Sequence, residues 1–333
     1  MSSMTIIEGV AELVQEVQQK IEDGELHCYS GCCVLNAEGA LRIIYTSVPS
    51  DESHRSTQII ATPGDADCLS WTQHITKPVL DLSTHDGPEF QGDWRDPYLF
   101  QAEGRTFMIL GAVLGEEAVL PIYENLDNQL HHWTYRGILL RESISQTKFF
   151  ECPSIMQIDG RWVLMYAPYR QMEWHTGNLD LEHYQFQIEQ SGLLDESRSC
   201  YASQPKNGPD GRALVFNWIR DFPENKGWNG CLGVIRRLWV GEDDRLSSAP
   251  VDEIAQLQHE KVSYPAINLT PDSHQLIMPG ECSSHGELNL TLSNHAVLKI
   301  ELSGVVIVID RNGVRFDDCS LAPLPSSQHI HFR

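Results

Sequence analysis

DWRDPYLFQAEGRTFMILGA (93–112) and FECPSIMQIDGRWVLMYAP (150–168) share one layout. Each has a short polar start, an apolar run, an acid–Gly turn and a second apolar run. CYSGCCVLNAEGALRIIYTS (28–47) and CYASQPKNGPDGRALVFNW (200–218) follow the same plan. The turn glycines Gly39, Gly104, Gly160 and Gly211 lie 65, 56 and 51 residues apart by subtraction. Hairpin repeats at about that period are the sequence signature of a β-propeller. The first strand of every propeller blade lines the central channel. Asp96 and Glu151 open two such strands, at what reads as the same place, so both are expected to face one pocket. Two carboxyls converging on a cavity are the basic equipment of glycoside hydrolysis.

Composition narrows the field. The chain has 333 residues, 41% hydrophobic and 21% charged, which suits one large β-domain with a smaller appendage. With Lys+Arg 24 against Asp+Glu 46, the net charge is -22. Such a chain repels nucleic acid and anionic membranes, so neither is expected as a partner. No stretch approaches the roughly 20 apolar residues that span a bilayer. The first 25 residues lack a basic start and carry acids inside their apolar stretch, unlike a secretory signal. Nine scattered cysteines, with Cys32 and Cys33 adjacent and no CxxC pair, read as buried thiols of a reduced, cytoplasmic protein.

Ile6, Ile7, Val10, Leu13, Val14, Val17 and Ile21 recur at three- and four-residue spacing, the stripe of an amphipathic helix. Thr5 with Glu8 forms a capping box, and Gly24 is the stop. From Cys28 onward the signals are β-type. Second hairpins are expected at 56–74 and 118–139, a less regular long excursion or outer hairpin with inserts at 169–199, and two strands with a short helical exit at 232–257. Further short strands in 259–333 suggest a small β-sandwich unit. The expected organisation is a helix (1–27), a propeller (28–258) and a truncated sandwich-like unit (259–333).

Trp94-Arg95-Asp96-Pro97 and Glu151-Cys152-Pro153 carry the sharpest chemical signal. A proline after the acid fixes the chain direction and aims the side chain. Arg95 is expected to hold Asp96 ionised, and the apolar Phe149-Phe150 to raise Glu151 toward a general-acid value. Carboxyls whose environments push their pKa values apart take acid and base roles. His131-His132 and His329-Ile-His331 have no third ligand at a telling spacing, so no metal site is assigned. No phosphate loop or nucleophile elbow occurs, and no cofactor is expected.

These motifs resemble glycoside hydrolase family 32, the invertases, inulinases and levanases. RDP and ECP stand in the family's order and spacing. Tyr29-Ser30-Gly31-Cys32 resembles its FSGS-type segment, and Tyr201-Ala202-Ser203-Gln204 its YAPQ segment. Gly227-Trp228 and CLGVIRRLWVGEDDRLSSAPVDEI (231–254) resemble its last-blade strands. The resemblance covers about residues 28–258. It implies a five-bladed propeller, four blades of which are recognisable here, followed by a β-sandwich. It also implies retaining hydrolysis of β-fructofuranosides. By motif, Glu151 matches the acid/base and Asp96 the transition-state stabiliser, with Arg95 on sugar hydroxyls. Ser30 and Trp218 fall near the substrate, with Tyr201 and Trp94 as further contacts.

The departures matter equally. The family opens on a WMNDPNG-type blade whose Asp is the nucleophile; this chain has no such motif, and the expected helix stands there. Three readings follow. The first is a glycosidase-like enzyme on a fructofuranoside or related small glycoside. The second is an enzyme repurposed for acid-assisted cyclisation, rearrangement or intramolecular transfer of a small molecule. The third is a non-catalytic carbohydrate-binding or interaction module. In each case the helix, or a second copy in a homodimer, is expected to cover the open side of the ring.

Overall fold

The computed structural model describes residues 25–50 and 55–257, apart from 75, 128 and 226. It also describes 268–270, 288–291, 296–302, 305–310, 313–316, 319–320 and 329–332. The expected N-terminal helix lies outside the described residues. The chain divides into two units, 1–249 and 250–333. The first is a β-propeller.

Its blades are four antiparallel sheets in chain order. Blade 1 is β1 (Glu25–Leu35), β2 (Leu41–Pro49), β3 (Thr57–Pro63) and β4 (Trp71–Gln73). Blade 2 is β5 (Gln91–Ala102), β6 (Arg105–Leu114), β7 (Glu117–Asn125) and β8 (Trp133–Ser143). Blade 3 is β9 (Glu151–Ile158), β10 (Arg161–Ala167), β11 (Glu173–Asp180) and β12 (Gln185–Leu193). Blade 4 is β13 (Cys200–Asn207), β14 (Ala213–Ile219), β15 (Cys231–Leu232), β16 (Arg236–Val240) and β17 (Leu246–Pro250), with β15 beside β14. A 3-10 turn follows at Asp252–Leu257.

The acid–Gly turns close these blades for a local reason. Glu103 and Gly104 have φ of 50° and 72°, and Asp159 and Gly160 have 50° and 81°. Two successive positive φ values make a type I′ turn, whose twist matches that of paired strands. Segment 169–199 takes the outer-hairpin alternative, β11 with β12, with a register shift between Thr176 and Gly177. Its turn, Leu181–Tyr184, contains neither Gly nor Pro, so the usual punctuation is absent.

Two cores weld the blades. One joins Ile44 and Ile60 of blade 1 to Phe107, Ile109 and Leu120 of blade 2 and Phe150, Ile155 and Leu164 of blade 3. The other joins Val163, Met165 and Trp174 of blade 3 to Val215, Leu238 and Leu246 of blade 4.

In the second unit, β18 (Leu288–Thr291) pairs with β23 (His329–Phe332). A separate sheet comprises β19 (Leu298–Leu302), β20 (Val305–Asp310), β21 (Gly313–Phe316) and β22 (Cys319–Ser320). The strands fall where the short β runs were expected.

Candidate active site

All four innermost strands carry a bulge at one place. Pairing slips between Cys28 and Gly31 in β1, and between Arg95 and Tyr98 in β5. In β9, Glu151 faces Ala167 while Ser154 faces Met165, and in β13 the slip falls between Tyr201 and Gln204. The bulges put Asp96, Cys152 and Ala202 at φ of 66°, 47° and 47°. A bulge leaves one residue unpaired and re-aims its neighbours.

Aligned on the bulge, Cys28, Arg95, Glu151 and Tyr201 are equivalent, and so are Tyr29, Asp96, Cys152 and Ala202. The two acids therefore stand one residue out of step, not at the same place. The prolines already carry this signal: Pro97 and Pro153 coincide, so the two motifs align as Arg with Glu and Asp with Cys.

The offset gives the acids different surroundings. Arg95, Glu151 and Tyr201 form a hydrogen-bonded chain across three blades, with Glu151 at its centre. Arg95 Nη2 donates to Glu151 Oε1 at 2.8 Å, and the Tyr201 hydroxyl donates to Glu151 Oε2 at 2.6 Å. The Tyr169 amide donates to that hydroxyl at 3.1 Å, which turns its proton toward Glu151. Burial first, then Glu151, raises the Tyr201 pKa and keeps the phenol neutral. Glu151 is thus gripped at both oxygens by polar groups, not enclosed by Phe149 and Phe150. Phe150 is core, and Phe149 lies beneath the Arg95 guanidinium at 4.6 Å.

Asp96 sits at the bulge apex and is only 4% exposed. Its Oδ2 accepts the Cys152 amide of the next blade at 2.9 Å, and its own amide donates to Thr46 Oγ1 of blade 1 at 2.9 Å. Asp96 therefore ties three blades at the axis. Burial pushes its carboxyl from 3.8 up to about 6, against the pull of the Cys152 amide and Arg95, with Glu151 adding to the rise. Arg95 had been expected to hold Asp96 ionised. Its charge goes elsewhere: to Asp93 Oδ2 at 2.5 Å and Glu151 at 2.8 Å, against 3.5 Å from Asp96. Desolvation outweighs a partner that is already shared.

Ser30 is exposed and its Oγ accepts the Cys152 thiol at 3.5 Å, bringing blade 1 to blade 3. Trp218 is 39% exposed and pairs with Tyr201 across β14. Trp94, taken as a substrate contact, is fully buried; its ring packs with His85 and Tyr123 in blade 2. As strand neighbour of Arg95 it points to the opposite face. Trp94→Phe is accordingly expected to cost about 1–3 kcal/mol in urea unfolding while leaving KM unchanged. A raised KM at unaltered stability would restore it to the site.

Several contributors escaped the sequence reading. Asp93 anchors the far arm of Arg95, and its i−2 spacing on the strand was a usable signal. Tyr169, with φ of 62°, accepts from Arg95 at 2.7 Å and had no such signal. Arg220 lies 3.6 Å over the Tyr201 ring. No group of three His, Cys, Asp or Glu suited to a metal occurs among the described residues, and no helix there is long and apolar enough to cross a membrane.

A propeller with a buried carboxyl, a second carboxyl and a shared guanidinium at its axis defines a glycoside-hydrolase-type β-propeller. The chain belongs to glycosyl hydrolases family 32: the family's N-terminal domain matches residues 13–250. A sucrose-6-phosphate hydrolase of Streptococcus mutans is 27% identical over 73% of this chain and 53% of its own length. One from Zymomonas mobilis is 27% identical over 91% of this chain and 67% of its own. Among solved structures, the sucrose-6-phosphate hydrolase of Lactobacillus gasseri superposes with a TM-score of 0.68 at 20% identity, covering 92% of this chain and 66% of that one. The β-fructofuranosidase of Bombyx mori gives 0.62 at 22% identity, covering 72% and 54%. At these identities the structures speak for the fold alone. The chain spans about half the length of the Streptococcus relative.

Proposed function

We propose that the protein cleaves the fructosyl bond of a small β-fructofuranoside, sucrose or a phosphorylated sucrose being the first candidates. The observation that carries this reading is the hydrogen-bonded Arg95–Glu151–Tyr201 chain beside buried Asp96. Family membership and the relatives' names, sucrose-6-phosphate hydrolase among them, supply the substrate class.

Glu151 serves as the general acid. Its carboxyl opens β9 at the mouth of the site, so it reaches the glycosidic oxygen and passes it a proton as the bond to the anomeric carbon breaks. Asp96, ionised, stabilises the positive charge that develops on the fructosyl ring, and its poor solvation strengthens that interaction. Water then adds to the oxocarbenium carbon and gives up its proton to the Glu151 carboxylate, which restores the acid. Arg95 and Tyr201 hold the acid in place, and Ser30 and Trp218 flank the sugar.

The test is product analysis on sucrose, sucrose 6-phosphate, inulin, levan and short fructo-oligosaccharides. Fructose or its phosphorylated partner should appear from at least one of the two sucroses. Failure to release fructose from the whole panel overturns the reading.

A further inference from the structure

Three carboxyls face the Arg95 guanidinium, and they are not equally open. Asp96 is 4% exposed, and its Oδ2 is taken by the Cys152 amide. The side chain of Glu151 is 20% exposed and that of Asp93 is 52% exposed. A sugar therefore reaches two of the three, Glu151 and Asp93.

The strand presents Asp93 through a second bulge. β5 slips between Gln91 and Trp94, with Gly92 at φ of 62°. Gly92 and Asp93 are thus lifted out of the ladder at the start of the strand. The ion pair with Arg95 keeps Asp93 on the Arg95 side, away from buried Trp94. Arg95 takes Oδ2 of Asp93, which leaves Oδ1 for a ligand. Arg95 also sets a spacing. Its Nη1 holds Asp93 Oδ2 at 2.5 Å and its Nη2 holds Glu151 Oε1 at 2.8 Å. Both nitrogens belong to one rigid planar fork, so the two bound oxygens lie within about 8 Å of each other. Carboxyl pairs that cleave glycosides stand about 5–9.5 Å apart. The exposed Tyr29 ring, 5.5 Å from the same guanidinium, offers a sugar an apolar face beside this pair.

We propose that Asp93 is the carboxylate that captures the anomeric carbon, with Glu151 as its acid partner; this rests on the fructoside hydrolysis proposed above. As Glu151 protonates the leaving oxygen, the bond from that oxygen to the anomeric carbon breaks and its electron pair stays on oxygen. Asp93 Oδ1 gives a pair to the same carbon and forms an ester. Water next adds at that carbon, the ester bond breaks with its pair returning to Asp93, and the proton of water goes to Glu151. Glu151 recovers that proton by itself, so a second open carboxylate has bond formation, not proton transfer, left to do. Buried Asp96 stabilises the charge that builds in both steps.

The test treats the full chain with conduritol B epoxide and maps the adduct by peptide mass spectrometry. This neutral, polyhydroxylated ring carries an epoxide that a carboxylate opens with the help of an acid. An ester on Asp93, absent from Asp93→Asn, is expected. An adduct on Asp96 or Glu151, or no adduct, overturns the assignment. The readout does not need fructoside turnover. Labelled Asp93 in a chain that releases no fructose supports the residue's role and removes only the proposed substrate. Where fructose is released, Asp93→Asn should lower kcat by at least about 10³-fold, because asparagine still accepts from Arg95 but forms no ester. A loss below about tenfold would mean that Asp93 only steadies Arg95, and would overturn the proposal.

Discussion

Glu151→Gln is expected to lower the rate of the proposed fructoside hydrolysis by about 10²–10⁴-fold, the range for loss of a positioned general acid. The substitution is nearly isosteric. The amide oxygen still accepts from Arg95, whose pairing with Asp93 is untouched. The cost to the fold is therefore small, and the loss falls on kcat, since the proton transfer exists only in the transition state. Steady-state kinetics with a urea melt of the same preparation checks both halves. A loss carried by KM, or by unfolding, would assign Glu151 a binding or structural role instead.

Asp96→Asn separates activity from stability in opposite directions. The folded-state value of about 6 lies above the ordinary 3.8, so folding favours the protonated carboxyl. Stabilisation from this group is complete below about 3.8 and is lost as pH rises through about 6. Asparagine is neutral at every pH, and its carbonyl still accepts the Cys152 amide. The variant should match wild type near pH 4 and exceed it near pH 8, by at most about 3 kcal/mol for a rise from 3.8 to about 6. Activity should fall about 10²–10³-fold through loss of a preorganised charge, and the wild-type acid limb, with its midpoint near pH 6, should vanish with it. Denaturant melts at the two pH values decide the first part. A variant no more stable at pH 8 than at pH 4, relative to wild type, would mean that burial does not hold Asp96 near neutrality.

Much of this architecture is legible along the chain because propeller blades are local. Asp-Gly and Glu-Gly at fixed offsets set the hairpins, and alternation within each strand sets the face. RDP and ECP mark the candidate site for the same reason, since each sets a carboxyl beside a proline at the start of an inner strand. What stays hidden is the bulge itself. In blades 1 and 4 it falls at Tyr29-Ser30 and Ala202-Ser203, where no proline marks it. The sharing of Arg95 among Asp93, Glu151 and Asp96 is equally hidden, because it depends on which carboxyl lies nearest in space. Trp94 shows the converse: adjacency to the RDP motif says little about a side chain on the opposite face of its strand.

On the proposed function, Glu151 delivers a proton to a departing glycosidic oxygen. The most direct measurement compares Glu151→Gln with wild type on sucrose and on 4-nitrophenyl β-fructofuranoside. 4-Nitrophenolate leaves without protonation and so does not need the acid. A loss of about 10²–10⁴-fold on sucrose and of less than about tenfold on the nitrophenyl substrate is expected. Equal losses on both would contradict it, placing Glu151 among the groups that hold the sugar.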